Sequence, residues 1–218
     1  MAEQERIHFT SPIESRRPYS RSRFEVWSPK LNRRLTLFGE LALYLWVILE
    51  GTPHIKRYCE RPYQTKLFKK DRVIDFWVEA PDKSKFVMLA YSDENMNLQN
   101  EIRANISFCT WIADHGISVE LFSRQDYLSQ KTFVDNWSRI IRFLSANATL
   151  INKVLVSRVH RAIVVSGTID LTDLLKSFCE EDPVIIKTAV FSLLHSGAVI
   201  SNSLQTVDIR ESLSLEAE

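Results

Sequence analysis

Glycine, proline and cysteine are all scarce in this chain of 218 residues, which contains 5, 7 and 3 of them. So little glycine and proline excludes a fibrous or long disordered chain, and the 45% of hydrophobic residues is enough to form real cores. The cysteines Cys59, Cys109 and Cys179 are odd in number and lack the spacing of a zinc pair or a redox motif, so we expect reduced thiols. The length predicts one large domain or two small ones.

Long hydrophobic runs and several enzyme motifs are also missing. The longest apolar run, Leu41–Leu49, is shorter than the roughly 20 residues of a membrane helix, so we expect a buried helix and no membrane partner. The first residues lack the basic-then-apolar order of a secretory signal, which predicts a cytoplasmic protein. The absence of a Gly-rich phosphate loop and of a nucleophile elbow argues against ATPases and α/β-hydrolases.

Positive charge is concentrated near the start of the chain, although the net charge is only +1. Residues 1–34 show no sustained periodicity and contain three prolines, which predicts an extended arm. An arm with this excess of cations is suited to lie along nucleic-acid phosphates, while a solvated basic tail is the other interpretation. The predicted DNA-binding residues are Arg16, Arg17, Arg21, Arg23, Lys30, Arg33 and Arg34.

The predicted fold begins near Leu35. Residues 35–50 carry an apolar stripe that predicts a helix enclosed on most sides, and Gly51 ends it. Four short β-like runs follow between turn signals and predict an antiparallel meander of three or four strands. These runs are 55–59, 64–68, 73–78 and 86–91.

A helix and a strand follow the meander. Asn95 is the expected cap of a helix over 96–113, and residues 117–122 are the expected strand. A strand, a helix and a strand after a meander predict an α/β domain, with a mixed sheet flanked by helices, over residues 35–147.

The remainder of the chain, residues 148–218, is predicted to form a small, mostly helical domain. Asp182 is an N-cap with Pro183 at the first helical position, and Gly197 ends this helix. Two strand-like pieces, 198–201 and 206–210, predict a terminal hairpin. Two helices and a hairpin describe a winged helix, which docks on nucleic acids or proteins. Because acids are frequent here, protein docking is the expected use.

Two acidic residues carry the predicted chemistry. Asp75 is the only acid in the apolar run Val73–Val78, where an unpaired carboxylate costs several kcal/mol. It is therefore expected to bind a metal or to pair with Arg72 or Arg61. One or two carboxylates hold Mg²⁺ when phosphate and water complete its octahedron. Glu40, on the first core helix, is the predicted second ligand, although a polar helix position also explains it.

The order of these motifs resembles a known nuclease family. A helix with Glu40, then Tyr-Cys-Glu-Arg-Pro at 58–62, then Ile-Asp-Phe-Trp-Val at 74–78 is similar to TnsA, the endonuclease subunit of heteromeric bacterial transposases. The likeness covers about 35–144, and the C-terminal winged helix matches the family's second domain. It implies a PD-(D/E)XK, restriction-endonuclease-like core in which Glu40 and Asp75 are catalytic and bind Mg²⁺, which Mn²⁺ can replace. It also implies cleavage of transposon 5′ ends beside an integrase-type transposase, with an ATPase regulator as a further partner.

The next motif of that family is missing. The family places a Glu or Gln, one residue and a Lys on the following strand, but this strand reads Phe-Val-Met-Leu-Ala-Tyr at 86–91. Because the Lys would position the attacking water and the acid would bind metal, hydrolysis is expected to suffer. Three interpretations stay open: a DNA-binding or assembly scaffold that does not cut, a neighbouring residue that substitutes, or a superficial resemblance. The candidate substitutes are Lys83, Lys85, Asp93 and Glu94.

We therefore expect a TnsA-like subunit of a DNA transposition complex. It would bind transposon-end DNA through its arm and core and a transposase through its C-terminal domain, with an endonuclease activity weakened by the missing Lys. The alternative is a non-enzymatic winged-helix DNA-binding regulator or assembly protein. A neighbouring transposase gene would favour the first expectation, and its absence the second.

Overall fold

The chain contains two units of mixed helix and strand. The computed structural model describes residues 7–14, 20–65, 72–80, 83–91, 94–210 and 212–218, without the side chains of 94–97. Contacts between residues place the described residues up to 49 and 54–129 in a first unit, and 50–53 with the described part of 130–218 in a second. The expected domain boundary between 147 and 148 differs from this division, which falls before the helix that begins at Lys131.

The first unit is built around a mixed sheet. Its elements are β1 (Arg23–Ser28), β2 (Arg33–Phe38), α1 (Glu40–Gly51), β3 (Arg57–Glu60), β4 (Gln64–Thr65), β5 (Arg72–Val73), β6 (Phe76–Glu79), β7 (Lys85–Ala90), α2 (Glu94–Ala104), α3 (Ile106–Asp114), β8 (Ser118–Ser123) and α4 (Arg124–Ser129). The sheet order is β3-β6-β7-β8. Neighbours are antiparallel except β7 and β8, which are parallel. The predicted α/β class is confirmed.

Opposite faces of β3 contact different helices. Cys59 belongs to a buried cluster with Met88 of β7 and with Leu98 and Phe108 of α2 and α3. Tyr58, the preceding residue, points to the other face because side chains alternate along a strand. There its hydroxyl accepts a hydrogen bond from Trp46 Nε1 of α1 at 2.9 Å. The central sheet is therefore covered by α1 on one face and by α2 and α3 on the other.

The segment predicted as an extended arm forms a β-hairpin over its second half. β1 and β2 pair antiparallel, with Trp27 opposite Arg34 and Val26 opposite Leu35. The interpretation of Leu35 as the start of a helix was wrong: Leu35 and Leu37 are buried on one face of β2 while Thr36 between them reaches Glu25. This alternation of period two is that of a strand. Arg16 and Arg17 lie outside the described residues.

Residues 7–13 also pack on the first unit. The Phe9 ring lies 5.8 Å from the Trp77 ring and 5.6 Å from the Phe86 ring, measured between centroids. The Ile13 amide donates to the Arg61 carbonyl oxygen at 2.9 Å. These contacts hold the described start of the chain against the sheet, because each ring buries apolar surface.

The predicted helix over 96–113 is two helices. α2 ends at Ala104, and Asn105 caps α3, since its side chain accepts a hydrogen bond from the Phe108 amide at 3.1 Å. Asn95, the expected cap, lies inside α2 instead. Asparagine is a preferred N-cap residue, so both positions were reasonable candidates. Only Asn105 has the non-helical backbone that a cap requires.

The second unit has its own small sheet. Its elements are α5 (Lys131–Ala146), a 3₁₀ turn (Ala148–Leu150), α6 (Lys153–Ser166), β9 (Thr168–Asp170), α7 (Leu171–Ser177), α8 (Pro183–Ser196), β10 (Val199–Ile200), a second 3₁₀ turn (Asn202–Gln205) and β11 (Ser214–Ala217). The sheet order is β10-β11-β9, with both pairs antiparallel. The predicted start and end of α8 are confirmed, because Asp182 caps it, Pro183 opens it and Gly197 adopts a left-handed conformation after it.

The predicted terminal hairpin between 198–201 and 206–210 was wrong. β10 pairs with β11, whereas residues 206–210 form a loop. Asn136 of α5 explains this, because its buried side chain donates to the carbonyl oxygens of Leu204 and Val207 and accepts from the Ile209 amide. Backbone groups bonded to a helix side chain are not available for a strand ladder. Among the described residues of either unit, no helix is long and apolar enough to span a membrane.

Candidate functional site

Asp75 lies where β6 separates from β5, so the predicted strand over 73–78 is interrupted there. The ladder between β6 and β7 begins at Phe76, which is opposite Val87. Two residues further along β7, the Leu89 amide donates a hydrogen bond to Asp75 Oδ2 at 2.8 Å. The carboxylate thus replaces the backbone acceptor that a longer β6 would have supplied. This bond gives Asp75 a role in fixing the fold.

Arg72 binds the other polar group of the same β7 residue. Its guanidinium donates to the Leu89 carbonyl oxygen, with a distance of 3.4 Å between Nη2 and the oxygen. Arg61, the other expected partner of Asp75, contacts it through the main chain, since the Arg61 amide donates to the Asp75 carbonyl oxygen at 2.8 Å. Arg72 therefore acts on the Asp75 carboxylate through its charge.

Burial dominates the electrostatics of Asp75. It raises the pKa of the carboxyl group to about 6, while the hydrogen bond from Leu89 and the charges of Arg72 and Arg21 act in the opposite direction. The raised pKa means that these neighbours compensate only part of the cost of placing the charge away from water.

Arg21 and Tyr91 complete the surroundings of Asp75. The Arg21 guanidinium carbon lies 4.0 Å from the centre of the Tyr91 ring, in a cation–π arrangement. Gly39, with φ of +89°, fits against both, because a Cβ atom there would lie 2.9 Å from the Tyr91 hydroxyl and 3.6 Å from Arg21 Cδ. We call Arg21, Arg72, Asp75 and Tyr91 the β7-end cluster, since all four gather at the carboxyl end of β7.

Glu40, the second predicted metal ligand, is the first residue of α1 and is exposed. It directly follows Gly39, so its backbone borders the β7-end cluster. The candidate substitutes for the missing Lys contribute little to the site. Lys83 is exposed, and Lys85 forms an ion pair of 2.7 Å with Glu120 of β8. Asp93 and the side chain of Glu94 lie outside the described residues.

These residues do not fit a Mg²⁺ ion. The expected motif positions belong to the stretch Phe86–Ala90 of β7, whose side chains are all buried and apolar. Within the part of the chain that the structure describes, no three His, Cys, Asp or Glu side chains are grouped to hold a metal. The two charged neighbours of Asp75 are arginines, which repel a cation. A hard divalent ion needs oxygen ligands, and one carboxylate between two guanidinium groups is the wrong surrounding for it.

Most of the predicted DNA-binding cations that the structure describes have partners inside the first unit. Arg33 forms a bidentate ion pair with Glu60, at 2.8 and 2.5 Å. Its pKa is raised by this hydrogen bonding. Arg23 pairs with Glu25 at 2.6 Å, and Lys30 donates to the Leu49 carbonyl oxygen at 2.6 Å. Arg33 therefore stabilises the fold instead of facing phosphates, while Arg34 on the same strand is exposed.

Sequence reasoning missed the role of two residues in the β7-end cluster. Arg72 was considered only as a partner for Asp75, and Tyr91 only as the end of an apolar strand. Alternation along β7 could have placed Leu89 and Tyr91 on one face, but the contact with Arg21 depends on tertiary structure.

In the second unit, an open groove of about 600 Å³ lies between α6 and the end of α7. Arg158 and Arg161 line one side of it, and Phe178, Glu180 and Glu181 line the other. Arg158 bridges the groove to Glu181 at 2.8 Å. Both signs of charge are thus present, and the groove shows no preference for phosphate.

Comparison with protein families and with curated proteins finds no match to the chain. Its own residues must therefore support any functional proposal.

Proposed function

We propose that this protein is a TnsA-like subunit of a DNA transposition complex, which binds transposon-end DNA and a partner transposase but does not itself cut DNA. The first unit would hold the DNA, and the second would dock on the integrase-type transposase or on an ATPase regulator.

The element order of the first unit carries this proposal. α1 is followed by the antiparallel strands β3, β6 and β7, by α2 and α3, and by β8 parallel to β7. A mixed sheet of this kind, covered by helices on both faces, is what a restriction-endonuclease-like core requires. Glu40 begins α1 and Asp75 precedes β6, which are the places that the resemblance to TnsA assigns to its acids.

The β7 strand supports the absence of cutting. Its residues from Phe86 to Ala90 are buried and apolar, so they offer neither a carboxylate for metal nor an ammonium group for the attacking water. Removing preorganised charge of this type from a hydrolytic site costs orders of magnitude in rate. The arginines beside Asp75 further oppose a metal-dependent mechanism.

The second unit supports protein docking better than reading of DNA bases. Its order, with β11 between β10 and β9 after α6, α7 and α8, suits a winged helix. In such a module the second helix of the helix-turn-helix enters the major groove. Here that helix is α8, whose residues from Thr188 to Phe191 are all buried and whose exposed first residues, Pro183 and Val184, carry no side-chain hydrogen-bonding group. Among the described residues of this unit, the most exposed large apolar side chains lie on α6, where Val154 and Val165 are 71% and 82% exposed.

The alternative is a winged-helix regulator without a transposase partner. The strand order of the second unit favours it, whereas the burial of α8 opposes it. The two proposals differ in what the second unit must bind: a transposition subunit needs a protein partner there, and a regulator needs operator DNA.

The test is a binding experiment with the full chain. We expect it to bind transposon-end duplex DNA with strong salt dependence, and to retain an integrase-type transposase on an affinity column. Val154→Asp with Val165→Asp should release the transposase and leave DNA binding unchanged. Lys153→Gln, on the same helix, is the matched control. DNA binding lost in the double variant while the transposase stays bound would contradict the assignment of the two units and favour the regulator.

A further inference from the structure

The carboxyl end of β7 carries two guanidinium groups where the resemblance leads one to expect a metal ion. Arg72 holds the Leu89 carbonyl oxygen at 3.4 Å, and Arg21 lies on the Tyr91 ring at 4.0 Å. Leu89 and Tyr91 are two residues apart along the chain, and the charges of both arginines act on the Asp75 carboxylate. Both arginines are thereby anchored to neighbouring points of one strand.

The charge of this cluster is positive. Among its four residues, Asp75 contributes one carboxylate, and Arg21 and Arg72 contribute two cations. The Asp75 oxygen Oδ2 also accepts the hydrogen bond from the Leu89 amide at 2.8 Å.

The cluster is also accessible. Arg21, Arg72 and Tyr91 are each partly exposed, while the five preceding residues of β7 are buried. A ligand can therefore reach the guanidinium groups from solvent, at the point where the strand emerges from the core.

We propose that Arg21 and Arg72 form a phosphate-binding site at the carboxyl end of β7, and that a DNA backbone phosphate binds there directly rather than through a metal ion. That the phosphate belongs to DNA rests on the function proposed above. The guanidinium fork matches two oxygens of a phosphate, and the Tyr91 ring holds the plane of Arg21 in place. Bound in this way, a phosphodiester is held without an activated water to attack it.

Asp75 has a separate task in this site. Its hydrogen bond to Leu89 keeps β7 in register beside the arginines, while its negative charge repels the phosphate. Replacing Asp75 by Asn keeps an oxygen acceptor for the Leu89 amide and removes the charge. A phosphate site and a metal site therefore predict opposite effects of the same substitution.

The first experiment uses a small ligand, thymidine 3′,5′-bisphosphate, titrated into the full chain in EDTA by isothermal calorimetry. We expect saturable binding that Arg21→Gln and Arg72→Gln each weaken by about tenfold, the effect of one charged hydrogen bond. Asp75→Asn should strengthen it about threefold, because the substitution removes a negative charge beside the phosphate. Arg124→Gln, on exposed α4, is the control and should have no effect. A requirement for Mg²⁺, or binding that is lost in Asp75→Asn, would overturn the proposal.

The second experiment repeats the series with duplex DNA from the transposon end, again in EDTA, with circular dichroism as the check on folding. Weaker DNA binding by both arginine variants supports the site as a DNA contact. DNA binding that is unchanged in both variants overturns this inference and leaves the proposed function intact. If the unmodified protein binds the bisphosphate but no DNA, the assignment to DNA and the proposed function fail together.

Discussion

Glu60 and Asp75 occupy neighbouring positions in the first unit but have opposite electrostatic surroundings. Glu60 ends β3 and is paired in the ladder with Phe76, the residue after Asp75. Both oxygens of the Glu60 carboxylate, which is 2% exposed, bind the guanidinium of Arg33. Asp75 receives one backbone amide, and its pKa rises to about 6 because of burial. The comparison teaches that a fully paired guanidinium lets one acid of the family-like pattern stabilise the fold, while the other acid keeps a raised pKa beside two arginines.

Removing Arg33 should have the largest effect on the free energy of unfolding, because Glu60 then loses the partner that distinguishes it from Asp75. Arg33→Met keeps most of the side-chain stem but leaves the Glu60 carboxylate buried and unpaired, so we expect a loss of about 3 kcal/mol in the free energy of unfolding. Urea unfolding followed by tryptophan fluorescence measures it. Glu25→Gln, which breaks an exposed ion pair with Arg23, is the matched control and should cost less than about 1 kcal/mol. Equal losses in the two variants would contradict a special role for the buried pair.

Asp75→Asn should change the stability of the protein by an amount that depends on pH, whereas no such dependence is argued for Glu60. The pKa of Asp75 in the folded protein lies above the usual value of 3.8, so the folded protein keeps the Asp75 proton up to a higher pH than the unfolded chain does. The free energy of unfolding therefore falls as the pH rises toward about 6. The Asn variant escapes this loss. It should match the natural protein near about pH 4 and exceed it by at most about 3 kcal/mol near about pH 8. Unfolding at both pH values measures the difference, and a variant that is less stable at the higher pH would refute the account.

Substituting Arg34 should have the smallest effect of the three changes. Arg34 lies beside Arg33 on β2 but is exposed. If it contacts a DNA phosphate, Arg34→Gln should reduce the slope of log affinity against log salt by about one and leave protein stability unchanged. Anisotropy of labelled duplex DNA over a salt series provides the slope. An unchanged slope would remove Arg34 from the predicted DNA-binding residues.

Local signals in the sequence predicted much of the fold. Asp182, Pro183 and Gly197 mark α8 because a cap, a first-turn proline and a left-handed glycine act within a few residues. The β1–β2 hairpin was missed, since the basic residues in it obscured the alternation of Phe24 and Val26. Pairing between segments cannot be found in composition alone.

The site was harder to predict for the same reason. Asp75 stood out as an acid in an apolar run, but its bond to Leu89 depends on the register of β6 and β7. The pairing of Arg33 with Glu60 spans 27 positions, so the charge of Arg33 was assigned to DNA. Long-range pairing decides which charges remain available to a ligand, and the order of motifs does not contain that information.

The most direct test of the central claim is a nicking assay on labelled transposon-end DNA, in Mg²⁺ and then Mn²⁺. It is run with and without an integrase-type transposase, for the natural protein and for Asp75→Asn. We predict that both proteins bind the DNA and that neither cuts it. Metal-dependent cleavage by the natural protein that is lost in Asp75→Asn would contradict the account, because Asp75 would then be a working metal ligand.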